Sequence, residues 1–375
     1  MLKVVTVVGT RPEVIRLSQV IKRLDSTTNH VLVHTGQNYD HALNQIFFDD
    51  LGLRAPDHVL GVDTSSLGRV LGETLIGVEW VLAEERPDAV LVLGDTNSCI
   101  AALMAKRMRI PVYHMEAGNR SFDENVPEET NRRMVDHVAD FNLVYTEHAR
   151  RNLLAEGLQP RRIALTGSPM REVLESYRSQ IDASVALQTL GVTESGYFLV
   201  SVHREENVDS PARLTQVLDC LETVAETFGL PVLVSTHPRT RKRLALLDRV
   251  LPDGIAFHEP FGFHDYNRLQ LAAACVLSDS GTIAEESTLL GFPAVTLRDA
   301  IERPEALDTG GIMMTGLDPQ DVIAAIRLVK DADGSCNASS RLVPEDYLVA
   351  NTSERAVKFI LSTARRHHAW AGIRT

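Results

Sequence analysis

The chain has 375 residues, 44% of them hydrophobic, and a formal net charge of −12. That length suits two domains with separate cores. Lys and Arg are scattered through an acidic chain, which argues against a nucleic-acid partner, and no apolar run approaches the roughly 20 residues of a membrane span.

The first residues, 1–8, read as a strand and lack a signal-peptide cleavage pattern. Cys99, Cys220, Cys275 and Cys336 lie far apart, and the first three fall in apolar patterns. They read as free, mostly buried thiols in a reducing cytoplasm, with no disulfide and no metal site.

Strands then alternate with helices. The strand over 2–8 runs into Gly9-Thr10-Arg11-Pro12-Glu13, where Pro12 suits the first turn of a helix continuing through Leu24. A strand over 30–34 ends in Thr35-Gly36-Gln37-Asn38, and helices follow around 42–51 and over 67–85. The strand at 89–93 opens into Gly94-Asp95-Thr96-Asn97 and a helix to Met108. A strand at 112–115, a long polar loop, a helix over 129–138, a strand at 143–145, a helix from Glu147 and a strand at 163–165 complete this half.

Gly167-Ser168-Pro169 reads as the hinge, and the second half repeats the pattern. Its expected strands are 197–202, 231–235, 255–257, 275–278 and 293–297, with helices over 212–228 and 319–329. The alternation predicts an α/β fold of two doubly wound, Rossmann-like domains, 1–168 and 169–352, with a final helix over 353–369 beyond the second sheet's needs. Such domains bind ligands at the carboxyl ends of their strands, so the expected site is a cleft that the two domains face.

One stretch organises the second half. Residues 272–278 form an apolar run of strand type, Asp279-Ser280-Gly281 turn tightly, and 283–290 reads as a helix. Such a turn points free backbone N–H groups outward and, with the helix dipole, suits a diphosphate. An ordinary capped βα turn is the alternative. Glu285-Glu286 one turn further on favour the nucleotide, because carboxylates beside a phosphate site are unwelcome unless they bind a ribose diol.

Seven motifs then occur in a known order. They are Gly9-Thr10-Arg11-Pro12-Glu13, Gly94-Asp95-Thr96, His114-Met115-Glu116-Ala117-Gly118, Pro127-Glu128-Glu129-Thr130-Asn131-Arg132, His203-Arg204-Glu205-Glu206-Asn207, Ser280-Gly281-Thr282-Ile283-Ala284-Glu285-Glu286 and Glu302-Arg303-Pro304-Glu305. By them the chain resembles the non-hydrolysing UDP-N-acetylglucosamine 2-epimerases from residue 1 to about 366. The resemblance implies a two-domain fold of GT-B type whose final helix crosses back to the first domain. It also implies inversion at C2 of a UDP-N-acetylhexosamine, no added metal or redox cofactor, and a homodimer.

Further stretches are similar to the branch that makes UDP-N-acetyl-L-fucosamine by inverting C2 of UDP-2-acetamido-2,6-dideoxy-L-talose. These are His34-Thr35-Gly36-Gln37-Asn38-Tyr39-Asp40, Gly94-Asp95-Thr96-Asn97-Ser98-Cys99, Glu116-Ala117-Gly118-Asn119-Arg120, Ser235-Thr236-His237-Pro238-Arg239-Thr240-Arg241 and Phe261-Gly262-Phe263-His264-Asp265-Tyr266-Asn267.

The C2 hydrogen of an N-acetylhexosamine is not acidic, so its removal has to be coupled to loss of UDP from C1. Elimination gives a 2-acetamidoglycal and UDP; readdition with protonation on the other face gives the epimer. That requires a base, an acid and donors for the departing diphosphate.

Asp95, Glu116 and Glu128 match the family's acid/base carboxylates, and crowding splits the pKa values of such groups. Taken alone, Asp95 also suits the N-cap of the following helix, and Glu128 a first-turn glutamate. His203, at a strand's end, is the expected contact to the diphosphate, with Arg204 beside it in the substrate-binding set. A satisfied structural histidine is the alternative. Arg11 sits where a helix dipole disfavours a cation and is assigned to phosphate. Ser280, Gly281, Thr282, Glu286 and Arg303 complete the substrate-binding set, Arg303 and Arg298 each suiting a surface or core ion pair as well.

Two departures from the family stand out. Arg16 occupies a position where the family carries Lys, and an Arg can supply charge but cannot transfer a proton near neutral pH. Ser235-Thr236-His237-Pro238 replaces a His-x-Asn-Pro stretch that touches an allosteric substrate in some relatives, which puts that regulation in question. A UDP-GlcNAc/UDP-ManNAc 2-epimerase, a hydrolysing relative, a GT-B glycosyltransferase and a non-catalytic UDP-sugar sensor are the competing readings. A transferase would not need three carboxylates in the first domain's loops.

Overall fold

The structure is a computed structural model that describes residues 1–36, 48–247, 249, 253–335 and 343–374. Most of the helix expected around 42–51, the Gln37-Asn38-Tyr39-Asp40 stretch and Cys336 lie outside the described residues. The chain divides into two compact units: Met1–Arg120, Pro127–Ser176 and Glu345–Thr375 form one, Ser121–Val126 and Tyr177–Pro344 the other. The first unit thus continues past the expected hinge at 167–169. Helix Met170–Ser176 buries Met170, Val173 and Leu174 and packs on helix Arg11–Thr27 of the same unit.

The first sheet is built from β1 (Lys3–Val8), β2 (Asn29–His34), β3 (His58–Val59), β4 (Ala89–Leu93), β5 (Val112–Met115), β6 (Phe141–Val144) and β7 (Ile163–Leu165). Their order is β3-β2-β1-β4-β5-β6-β7, with every pairing parallel. The central strands are nearly continuous Val and Leu runs because helices cover both faces of the sheet. On one face Val5, Val7, Val90 and Val92 pack with Val78, Val81 and Leu82 of helix Leu67–Glu85. The strand order reverses between β1 and β4, and that switch point is where such sheets bind ligands.

Helix Thr352–Thr363 belongs to this unit and packs on Arg11–Thr27; the stretch expected as one helix over 353–369 continues as a 3₁₀ turn, Ala364–Arg366, and a short helix, His367–Ala371. Arg23 Nε donates to Ser353 Oγ at 3.0 Å, and the Tyr113 and Thr363 hydroxyls lie 2.6 Å apart.

The second sheet contains β8 (Phe198–Ser201), β9 (Val232–Ser235), β10 (Ile255–His258), β11 (Cys275–Ser278), β12 (Ala294–Thr296) and β13 (Met313–Met314), ordered β10-β9-β8-β11-β12-β13 and again parallel. Its switch point lies between β8 and β11. The edge strands β3 and β13 were not expected from sequence. With two residues each they carry no alternation to read. Cys99, Cys220 and Cys275 are buried, and no disulfide joins them among the described residues.

Candidate active site

In the first unit, three loops leave the carboxyl ends of β1, β4 and β5. The loop after β1 is pinned by Glu13, whose Oε2 accepts the backbone N–H groups of Gly9 at 2.7 Å and Thr10 at 2.6 Å. Its Oε1 accepts the Thr96 hydroxyl at 3.0 Å and the Ser98 hydroxyl, so one buried carboxylate ties the β1 and β4 loops together. Burial pushes the Glu13 carboxyl above its ordinary range, against these hydrogen bonds. Arg11 opens helix Arg11–Thr27 at this end, and burial lowers its guanidinium below the ordinary value.

Asp95 follows β4 after a single residue, Gly94. It is not a helix cap, because Thr96 takes that position for the 3₁₀ turn Asn97–Ile100. Its Oδ2 accepts Arg132 Nε at 2.7 Å instead, and Asn131 Nδ2 donates to its carbonyl at 2.9 Å. Both partners come from helix Glu128–Val138, which Glu128 begins as its first, half-buried residue. Arg132 also bridges to Glu129 at 3.0 Å.

Glu116 follows β5 with φ 64, a left-handed conformation that costs a non-glycine residue about 1–3 kcal/mol and collects at functional sites. Its Oε2 pairs with Arg16 NH1, both side chains being largely shielded from solvent. Gly118, two residues on, has φ +81 and no room for a side chain: a Cβ there would collide with the Ala149 carbonyl. Arg16 thus lies beside a candidate proton-transfer carboxylate and offers it a fixed positive charge.

In the second unit the hub is Asp279, which closes β11 and is 0% exposed. It accepts the backbone N–H of His203 at 3.1 Å, that of Arg204 at 3.0 Å and Asn207 Nδ2 at 3.1 Å. Burial alone would raise its carboxyl; facing His203 and these donors, it lies below the ordinary carboxylate range. His203 Nδ1 faces Asp279 Oδ1 at 3.2 Å, so Nε2 is on the ring's other side. The sequence placed Asp279 in the turn but gave no hint of this role.

The turn itself differs from expectation. Its amides do not all point outward unengaged: Ser280 N–H donates to Ser278 Oγ at 3.0 Å and Thr282 N–H to Ser280 Oγ at 3.3 Å. The Ser280 and Thr282 hydroxyls lie 2.9 Å apart. Local serine oxygens win these donors because they lie two residues away and are already in reach. Gly281 leaves no room for a side chain, since a Cβ would meet the Glu302 carboxylate.

Glu285 and Glu286 separate into two roles. Glu285 is fully buried and pairs with Arg303, itself 2% exposed. Glu286 is half-buried and accepts Gln270 Nε2 at 2.6 Å. Arg298 bonds Glu302 at 2.6 Å, and Arg204 reaches the same carboxylate at 3.3 Å. Arg303 and Arg298 therefore sit in core ion pairs.

Known proteins resemble the chain over most of its length. Residues 22–361 match the family described as UDP-N-acetylglucosamine 2-epimerase. A UDP-N-acetylglucosamine 2-epimerase structure from Rickettsia bellii superposes with a TM-score of 0.91 at 43% identity, covering 98% of each chain. The Methanocaldococcus jannaschii UDP-GlcNAc 2-epimerase, solved with UDP-GlcNAc and UDP, superposes at 0.89 with 33% identity, over 96% of this chain and 100% of that one. A Pseudomonas aeruginosa UDP-2,3-diacetamido-2,3-dideoxy-D-glucuronate 2-epimerase is 33% identical over 87% of this chain and 92% of its own length. The chain belongs to the UDP-N-acetylglucosamine 2-epimerase family and is an isomerase with two α/β units of GT-B type.

Proposed function

We propose that the protein is a non-hydrolysing UDP-N-acetylhexosamine 2-epimerase that takes UDP-2-acetamido-2,6-dideoxy-L-talose to UDP-N-acetyl-L-fucosamine. The observation that carries the chemistry is the placing of Glu116 and Asp95 at the carboxyl ends of adjacent strands beside the switch point, with Glu128 opening the helix bonded to Asp95. In this reading one carboxylate takes the C2 proton as the C1–oxygen bond to UDP breaks. The electron pair from C2 forms the glycal double bond, and the diphosphate leaves with the pair from C1. Readdition of UDP at C1, with protonation of C2 from the other face by a second carboxylate, completes the inversion. His203, held through Nδ1 by Asp279, presents Nε2 to the diphosphate, where Arg204 adds charge, and Arg11 of the first unit is assigned to phosphate. Glu286 takes the ribose diol, its orientation set by Gln270. No cofactor takes part, and the homodimer implied by the resemblance is retained as an expectation.

The choice of sugar rests on the stretches similar to the fucosamine branch. The Pseudomonas relative is named for a diacetamido-glucuronate and the archaeal one for UDP-GlcNAc, so membership alone leaves the hexose open. The archaeal complex favours UDP-GlcNAc/UDP-ManNAc as the second reading. Separate incubation with each UDP-sugar, followed by NMR of the anomeric protons, decides between them. The deoxy-talose sugar is expected to show a kcat/KM at least about tenfold above that of UDP-GlcNAc. The reverse order contradicts the assignment.

A further inference from the structure

A buried ionic cluster in the first unit is not used by this scheme. Asp136 and His114 are each 0% exposed and Arg120 is 2% exposed. Asp136 Oδ1 faces His114 Nδ1 at 2.9 Å, and its Oδ2 accepts Arg120 NH1 at 2.7 Å. Both oxygens accept the Gly118 backbone N–H, at 3.2 and 3.1 Å. His114 Nε2 donates to the Gly94 carbonyl at 2.8 Å. Arg120 forms a two-point bridge to Glu156 at 2.7 Å.

Burying charges so deeply is a poor route to stability, since apolar residues of similar volume usually serve as well. The cluster has a geometric consequence instead. Gly94 precedes Asp95 directly. Gly118 lies two residues beyond Glu116, on the side where the left-handed backbone at Glu116 must be held. Asp136 shares a helix with Glu128. His114 and Asp136 therefore bond to the β4 loop, the β5 loop and the helix, the three segments that carry the candidate carboxylates. Glu13 ties the β1 and β4 loops together in a similar way.

We propose that His114 and Asp136 are positioning residues for the epimerase reaction, fixing the spacing of Asp95, Glu116 and Glu128 on which delivery of a proton to either face of C2 depends. The inference rests on those three carboxylates being the proton-transfer groups. The ring of His114 links a carbonyl of one loop to the carboxylate that holds the next. Its removal lets the two loops shift by fractions of an ångström without opening the fold, and misplacement on that scale lowers turnover more than binding.

The test uses His114→Gln and Asp136→Asn in the full chain, alone and with Glu116→Gln, reading kcat per UDP-binding site, KM and the UDP dissociation constant. Each single variant is expected to lose about 10–100-fold in kcat while KM and UDP affinity stay within about threefold. On the Glu116→Gln background, His114→Gln is expected to cost less than about threefold more, because both changes act on one unit. His114→Gln keeps a side-chain amide to donate to the Gly94 carbonyl, so it reports even where Asp136→Asn fails to fold. Wild-type kcat in His114→Gln beside an impaired Glu116→Gln overturns this inference alone, as does an undiminished loss in the double variant. Wild-type kcat in Glu116→Gln overturns it together with the proton-transfer reading.

Discussion

At the scale of single residues, the groups proposed to move protons are separate from the group proposed to hold the ribose of UDP. Asp95, Glu116 and Glu128 lie on the first unit, Glu286 on the second. Asp95→Asn, Glu116→Gln and Glu128→Gln each keep size and most hydrogen bonding but lose the basic site. Each is expected to lower turnover by about 10²-fold or more with little change in the UDP dissociation constant. Glu286→Ala is expected to do the opposite, weakening UDP binding by about 1–3 kcal/mol, the cost of an unmet polar partner. Kinetics and calorimetry on the four variants check the split; normal turnover in all three amides, or unchanged UDP affinity in Glu286→Ala, removes the corresponding assignment. Some of this was open to sequence reading, because a carboxylate directly after an apolar strand has few structural uses. The partners were not: Arg132, Gln270 and Asp136 lie 37, 16 and 22 residues from the groups they hold. No local periodicity reports such pairings.

At the scale of elements, strand ends do the work, and β2 supplies an example with a pH signature. His34 ends β2 and is 1% exposed. Its Nδ1 accepts the Gly36 N–H at 3.0 Å, and burial lowers its pKa from 6.5 to about 4. The unfolded chain takes up a proton here that the folded chain refuses. Stability from this group is therefore complete above about pH 6.5 and declines as pH falls toward 4, by about 3 kcal/mol at most. Urea denaturation between about pH 7 and 4.5 is expected to show a steeper loss for the parent than for His34→Asn, whose amide oxygen can accept the same N–H without titrating. Parallel pH profiles contradict this.

Elements also set what the sequence could disclose. The central parallel strands were legible because burial on both faces leaves unbroken apolar runs. The two-residue strands β3 and β13 and the short helix Met170–Ser176 were not. Their packing against neighbouring elements, and not their own pattern, holds them in place.

At the scale of the whole molecule, two sheets with the same order of switch-point strands each bring their candidate residues to the carboxyl edge. Alternation of strand and helix predicts this repeated design. It does not predict that the unit boundary falls after Ser176, or that Ser121–Val126 groups with the second unit. Both depend on contacts between segments far apart in the chain.

The central claim is that C2 is inverted through elimination of UDP and readdition to the glycal, and one measurement bears on it most directly. The protein is incubated in D2O with UDP-GlcNAc and, separately, with UDP-2-acetamido-2,6-dideoxy-L-talose, with no acceptor present. The account predicts deuterium at C2 of the sugar nucleotide as it turns over, because protonation from the opposite face draws on a solvent-exchanged acid. It also predicts small amounts of free UDP and 2-acetamidoglycal from leakage of the intermediate. Sugar nucleotides that keep their C2 proton in both incubations would contradict it.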